Sequence, residues 1–174
     1  MTKRIFVDMD GVLTNFNLRY TERFGITPAE VRKSADRKLY SKYWNQFVDG
    51  REFATLDSFP GVNDMLNFIR DQRDKHKAQV MILTSSGGYE RHTDVQEQKL
   101  IWLKNHGIEF PAIVVPGRGF KSGFASPTSF IIDDTADVIM NFLAKGGHGV
   151  LHTTTEKWNT CYTLERWIES THGQ

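Results

Sequence analysis

Two aspartates one residue apart, Asp8 and Asp10, follow the apolar run Ile5-Phe-Val, and an adjacent pair, Asp133 and Asp134, follows Phe130-Ile-Ile. Between them in the chain, Thr84 and Ser85 end the run Val80-Met-Ile-Leu. If the three runs are neighbouring strands, their polar ends converge at one edge. Carboxylates gathered there repel one another unless they share a proton or a cation, and an all-oxygen set suits magnesium, which keeps waters and takes one or two carboxylates plus a phosphate. A hard cation beside one carboxylate can bind a phosphoryl oxygen while another carboxylate attacks phosphorus. The residue types therefore point to phosphoryl transfer. Each piece alone has a plainer reading: Asp-x-Asp-Gly is also a turn or part of a calcium loop, and Thr-Ser also caps helices.

The elements that must position these residues alternate. Arg4 to Asp8 reads as a short buried strand, and Asn15 to Phe24, with Phe16, Tyr20 and Phe24 at helical spacing before Gly25, as a helix. From Thr27 to Phe59 the pattern changes to charges mixed with Tyr40, Tyr43, Trp44, Phe47 and Phe53, a small helical insertion or cap. Val62 to Ile69 predicts a helix that runs into the polar stretch Arg70 to Lys77, a solvated helix end rather than a nucleic-acid patch. Gln79 to Thr84 is the second strong strand and Val95 to His106 the next helix. Pro111 to Val115 and Thr128 to Ile132 supply two more strands, Ala136 to Ala144 a helix, Gly149 to His152 an edge strand, and Thr163 to Ser170 a final helix. The expected fold is α/β, a Rossmann-like doubly wound parallel sheet with helices on both faces, and function gathers at the carboxyl ends of its strands.

At 174 residues, 39% hydrophobic, the chain suits one domain, 1–174, with residues 27–59 as a cap within it. Its 22 basic and 21 acidic side chains nearly cancel, which argues against stable nucleic-acid binding and against a polybasic membrane surface. No segment reaches the ~20 apolar residues of a membrane helix, and the apolar run after Lys3-Arg4 is too short for a signal peptide. The single cysteine, Cys161, fits a reducing compartment, so a cytoplasmic location is the default. His76, His92, His106, His148, His152 and His172 show no metal-ligand spacing, which argues against zinc. The Gly146-Gly-His-Gly149 segment reads as a turn into the edge strand.

With these residues in place, Asp8-Met-Asp-Gly-Val-Leu-Thr14 resembles the first motif of the haloacid dehalogenase-like phosphatase superfamily, and the later signatures follow in order over the whole chain. Arg4 to Phe16, Thr84-Ser85 and Lys99-Leu-Ile-Trp-Leu-Lys104 are most similar to the 5'(3')-deoxyribonucleotidases. The resemblance implies Asp8 as the nucleophile forming an aspartyl-phosphate. It implies Asp10 as the acid that protonates the leaving oxygen and the base that then activates water, with its backbone carbonyl toward the metal. Thr84 and Ser85 would hold the phosphoryl oxygens. Lys121, in Gly117-Arg-Gly-Phe-Lys-Ser-Gly123, would balance the charge of aspartate and ester, with glycines that differ from the family pattern. Lys99 competes for that role, as a lysine approaching the substrate phosphate or a solvated helix residue. Asp134 is the expected direct magnesium ligand and Asp133 a neighbour orienting water or Lys121, while Asp137 reads as a helix-start charge.

The aromatic residues of the cap are candidate faces for a nucleobase. Phe16 stands where the deoxyribonucleotidases place a base-contacting phenylalanine, and Trp44 matches approximately, while Gln46 to Leu56 departs from the family. The implied substrate is a small nucleotide, a nucleoside monophosphate. Polynucleotide-end phosphates or non-nucleotide esters are the enzymatic alternative, and a non-catalytic nucleotide-binding regulator is the alternative of another class. The sequence leaves the oligomeric state open, a homo-oligomer included.

Overall fold

The computed structural model describes residues 2–34 and 36–170. Strand β1 (Arg4–Val7) lies at the centre of a five-stranded sheet in which every pairing is parallel. Ile5, Phe6 and Val7 are wholly buried, as a strand covered on both faces requires. The strand is flanked by β2 (Gln79–Ser85) and β4 (Ser129–Asp133), with β3 (Ala112–Val115) and β5 (His148–Leu151) at the edges, in the order β3-β2-β1-β4-β5. The chain builds outward from β1 first on one side and then on the other, so the order reverses beside β1. In open parallel sheets ligands bind in the crevice at such a switch point. Arg4 is in register with Gln79 and Ser129, which brings the ends of β1, β2 and β4 to a common edge.

Side-chain alternation sends the two faces to separate cores. Ile5, Val7, Val80, Ile82, Phe130 and Ile132 pack with helices α4 (Val62–His76), α5 (His92–Asn105) and α7 (Lys157–Ser170). Phe6, Leu83 and Ile131 pack against α6 (Ala136–Ala144) and Phe124. The doubly wound α/β architecture read from the sequence is the one observed.

Residues between β1 and α4 form three helices, α1 (Phe16–Phe24), α2 (Pro28–Lys33) and α3 (Arg37–Asp49), and a 3-10 turn at Glu52–Ala54. Thr27 and Glu30 close α2 with reciprocal capping bonds, and Pro28 occupies its first turn. The segment shares the core of the sheet through Val31, Phe47, Val48 and Phe53. It is also tied to α5: Gln98 Nε2 donates to the Val48 carbonyl at 2.8 Å, Trp102 Nε1 to the Leu56 carbonyl at 2.7 Å, and Arg91 pairs with Asp49 at 2.7 Å.

Strand and helix ends fall within three residues of the expected bounds, except at α7, which begins six residues before Thr163. Its buried stripe runs Thr160, Cys161, Leu164, Trp167 and Ile168, and the polar, weakly helix-forming Lys157 to Tyr162 hid its first turns. Asp133 closes β4, where the sequence reading ended the strand at Ile132.

Candidate active site

The site is assembled at the shared edge. Asp8 follows β1 directly, its N–H donating to the Ile132 carbonyl of β4 at 2.9 Å, and it is only 5% exposed. Its Oδ1 accepts from the Met9 N–H at 2.7 Å and its Oδ2 faces Lys121 Nζ at 2.8 Å. The chain then turns tightly, with the Leu13 and Thr14 N–H groups both donating to the Met9 carbonyl. Gly11 carries this turn at φ +83°, and a Cβ there would lie 2.0 Å from Asp134 Oδ2. Only glycine lets the turn pass so close to the carboxylate that follows β4.

Lys121 sits in a 3-10 turn, Arg118–Phe124, with its ammonium between Asp8 and Asp133, the latter at 2.7 Å. Burial works against its charge, but the fields of the two carboxylates prevail and raise its pKa. Asp133 is fully buried, and its other oxygen accepts from the Thr135 N–H at 2.9 Å. Burial and the charge of Asp8 push its carboxyl above the ordinary range against the pull of Lys121. Asp134 points the other way, onto the cavity, and accepts from the Thr135 hydroxyl at 3.1 Å. Desolvation, then the charge of Asp8, pushes it up to about 6.

Asp8, Asp133 and Asp134 each offer an oxygen within 4.8 Å of the others, the one such group among the described residues, and no histidine belongs to it. Two of the three carboxyls are held above their usual range, by burial first and then by the charge of Asp8. An oxygen-only set with unbalanced charge fits a hard divalent cation such as magnesium. His172 lies outside the described residues.

Asp10 is held apart from this group. Its Oδ1 accepts from the Thr14 hydroxyl at 2.9 Å and its Oδ2 from Lys99 Nζ at 2.6 Å. Lys99 is fully buried on α5, and it also donates to Thr84 Oγ1 and the Ser85 carbonyl, both at 2.8 Å. Phe53 lies over its ammonium at 5.3 Å. Lys99 is thus absent from the cavity wall and is not a solvated helix lysine. Ser85 Oγ accepts from the Gly87 N–H at 3.1 Å, shaping the loop after β2.

A cavity of about 340 Å³ opens above these groups, lined below by Asp8, Asp10, Thr84, Ser85, Lys121 and Asp134. Its opposite wall comes from the inserted helices. Phe16 lines it and stacks on Phe53 with centroids 5.6 Å apart. Trp44 lines it, stacks on Tyr40 at 6.3 Å, and lies so near the loop after β2 that a Cβ on Gly87 would meet its ring at 2.8 Å. Asp137 lies in the first turn of α6, as expected, and pairs with Arg118 at 2.8 Å. Sequence reasoning misses Arg32, Arg118 and Tyr20 as cavity residues, whereas Phe53 is among the cap aromatics it offers as faces for a base. Tyr20 stands out only as apolar spacing, and nothing in the charged run around Arg32 marks which side chain faces inward.

No protein-family model matches the chain, and no curated protein sequence does. Among solved structures, a hydrolase from Pseudomonas syringae is similar with a TM-score of 0.54 at 15% identity, covering 99% of this chain and 100% of that one. A D,D-heptose 1,7-bisphosphate phosphatase from Burkholderia thailandensis gives 0.45 at 14% identity over 95% and 85% of the two chains. A HAD family enzyme from Bacteroides thetaiotaomicron, in complex with magnesium and inorganic phosphate, gives 0.46 at 16% identity over 91% and 98%. At these identities the likeness to the Pseudomonas hydrolase is one of fold: this chain has that protein's architecture from end to end.

Proposed function

We propose that the protein is a magnesium-dependent phosphatase of the haloacid dehalogenase-like type, hydrolysing the phosphate monoester of a nucleoside monophosphate with Asp8 as nucleophile. One observation carries the reading. Asp8 is fixed between Lys121 and the outward-facing Asp134 on the floor of a cavity, while a second carboxylate two residues on, Asp10, is oriented separately by Thr14 and Lys99. A binding protein has no need of two carboxylates kept in such different surroundings.

The chemistry follows from these positions. Asp8 attacks phosphorus and forms an aspartyl-phosphate. Asp10 in its protonated form gives its proton to the departing alkoxide, and the carboxylate so formed, the state that pairs with Lys99, takes a proton from the water that cleaves the acyl phosphate. Lys121 balances negative charge at the nucleophile, and Thr84 and Ser85, which line the same floor, would hold phosphoryl oxygens through their hydroxyls. Asp8 and Asp134, with the Asp10 carbonyl, would hold magnesium, and Asp133 would orient Lys121; the bound ion offsets charge on the phosphoryl oxygens. The aromatic wall supports a flat leaving group, with Phe16 and Trp44 as its contacts.

Phosphate release from 5' and 3' nucleoside monophosphates, deoxy and ribo, tests the reading, with magnesium or chelator, for native protein and Asp8→Asn. Release that requires both magnesium and Asp8 is expected. Activity confined to sugar or aryl phosphates keeps the phosphatase and discards the nucleotidase, and no release from any ester sinks both.

A further inference from the structure

Two side chains that line the cavity from the helices between β1 and α4, Tyr20 and Arg32, carry hydrogen-bond donors left without a partner among the described residues. Tyr20, on α1, is 1% exposed, and its hydroxyl is buried with no partner among the described residues. A buried polar group in that condition costs about 1–3 kcal/mol, so it persists where a ligand or water completes it. Burial, then the neighbouring Tyr40 and Tyr43, pushes the Tyr20 phenol up to about 12, so it remains a donor throughout the physiological range. Arg32, on α2, lines the same wall. Its Nε donates to the Pro28 carbonyl at 3.2 Å, and no carboxylate pairs with its guanidinium among the described residues. Arg118, the other arginine of the cavity, is by contrast paired with Asp137.

We propose that the cap-side end of the cavity is a subsite for a second anionic group on the substrate, held by the Arg32 guanidinium and the Tyr20 hydroxyl. The inference rests on the phosphatase reading of the floor but not on the nucleotide. One anion, the reacting phosphoryl group, meets Lys121 and the strand ends, and the other meets the donors across the cavity. A guanidinium without a carboxylate partner and an unpartnered phenol lining one cavity suit a phosphate or carboxylate better than a neutral amide, because a planar fork of donors matches paired anionic oxygens. Aromatic rings line the same cavity, Phe16 and Tyr40 among them, and suit a sugar or base as the link.

The test is calorimetric titration of the Asp8→Asn protein, which reads binding without turnover, in magnesium. Matched ligands are thymidine 5'-monophosphate against thymidine 3',5'-bisphosphate, orotidine 5'-monophosphate for a carboxylate on the base, and fructose 6-phosphate against fructose 1,6-bisphosphate. In at least one set the doubly anionic ligand is expected to bind about tenfold or more tightly than its partner, the range of a charge-assisted hydrogen bond. Adding Arg32→Met should erase that gain while changing the singly anionic ligand less than about twofold, and adding Tyr20→Phe should reduce it without lowering the melting temperature, since it removes an unsatisfied hydroxyl. The set that shows the gain identifies the source of the second anion. Equal binding of partners, a gain that survives Arg32→Met, or no binding at millimolar ligand overturns the subsite. A gain among the sugar phosphates alone, with no nucleotide hydrolysed by native protein, keeps the subsite and discards the nucleotidase reading.

Discussion

Lys99 and Asp10 form a 2.6 Å ion pair beneath the cavity floor, with the lysine wholly withdrawn from solvent. The same ammonium bonds Thr84 and the Ser85 carbonyl, so the proposed acid/base is tied to the end of β2 and, through Phe53, to the inserted helices. A lysine that contacted substrate phosphate directly would show its loss mainly in KM. Lys99 touches Asp10 and does not line the cavity, so its loss belongs in kcat. Lys99→Met is expected to lower kcat by about 10²-fold or more, the scale of a lost general acid–base contribution, with KM changed only a few-fold. Steady-state kinetics of Lys99→Met and Lys99→Arg separate the two roles, and a KM-dominated defect would restore phosphate contact.

The crowding of Asp8, Asp133 and Asp134 predicts a metal-dependent pH profile of stability. Asp134 is raised to about 6, so between its unfolded value near 3.9 and that pH the folded state binds more protons than the unfolded one. Without metal, this group's contribution is fully present below pH ~3.9 and is lost as pH rises toward 6. A cation that binds only the folded, ionised cluster reverses this trend, adding about 2.7 kcal/mol at a hundredfold excess over its Kd. Melting curves in chelator and in magnesium from pH 4 to 7 should diverge as pH rises, and Asp134→Asn should remove most of the divergence. Parallel curves would remove the cation from the cluster.

Most of this arrangement was legible in the sequence, for a physical reason. Strands covered on both faces are continuous apolar runs, and a parallel sheet sends their last residues to one edge, so Asp8, Thr84 and Asp133 could be placed together without coordinates. The alternation of Asp133 and Asp134 followed from the strand period of two. Lys121 stands in a 3-10 turn with no periodic pattern, and only the resemblance pointed to it. The partners of Lys99 could not be read, because a buried lysine on α5 looks like any polar residue on a helix face until its neighbours are known. The cavity's far wall was hidden for the same reason: Arg32 lies six residues after Ile26, between Val31 and Lys33, and which of several charges turns inward is set by packing rather than spacing.

Glu109 joins the turn before β3 to α4. Its carboxylate accepts from Arg70 Nε at 3.1 Å and Nη2 at 2.9 Å and from Arg73 Nη1 at 3.1 Å, and the Arg70 bonds, against some burial, bring its pKa down to about 2. A depressed carboxyl stabilises the fold above its unfolded value near 4.3, and that contribution is lost as pH falls toward 2. The Glu109 side chain is 48% exposed, so screening holds the effect to about 1 kcal/mol or less. Urea denaturation should show Glu109→Gln losing that much at pH 7 and converging with native protein near pH 2. A difference that persists at low pH would assign the loss to packing.

Gly11 gives the sharpest test of how the turn after β1 and the end of β4 fit together. An alanine there meets two objections: φ of +83°, where an L side chain costs about 1–2 kcal/mol, and a Cβ 2.0 Å from Asp134 Oδ2. Gly25 separates them, because it has φ of +69° and nothing within 4 Å of the added carbon. Gly25→Ala should therefore lose about 1–2 kcal/mol from strain alone and bind magnesium as native protein does. Gly11→Ala should lose at least as much and also force the Asp134 carboxylate aside, weakening magnesium about tenfold or more, the scale of a disturbed ligand shell. Magnesium titration followed by melting temperature reads both effects in one experiment. Equal magnesium responses in the two variants would show that Asp134 can leave its place without cost to the metal, and the ligand role would pass to Asp133.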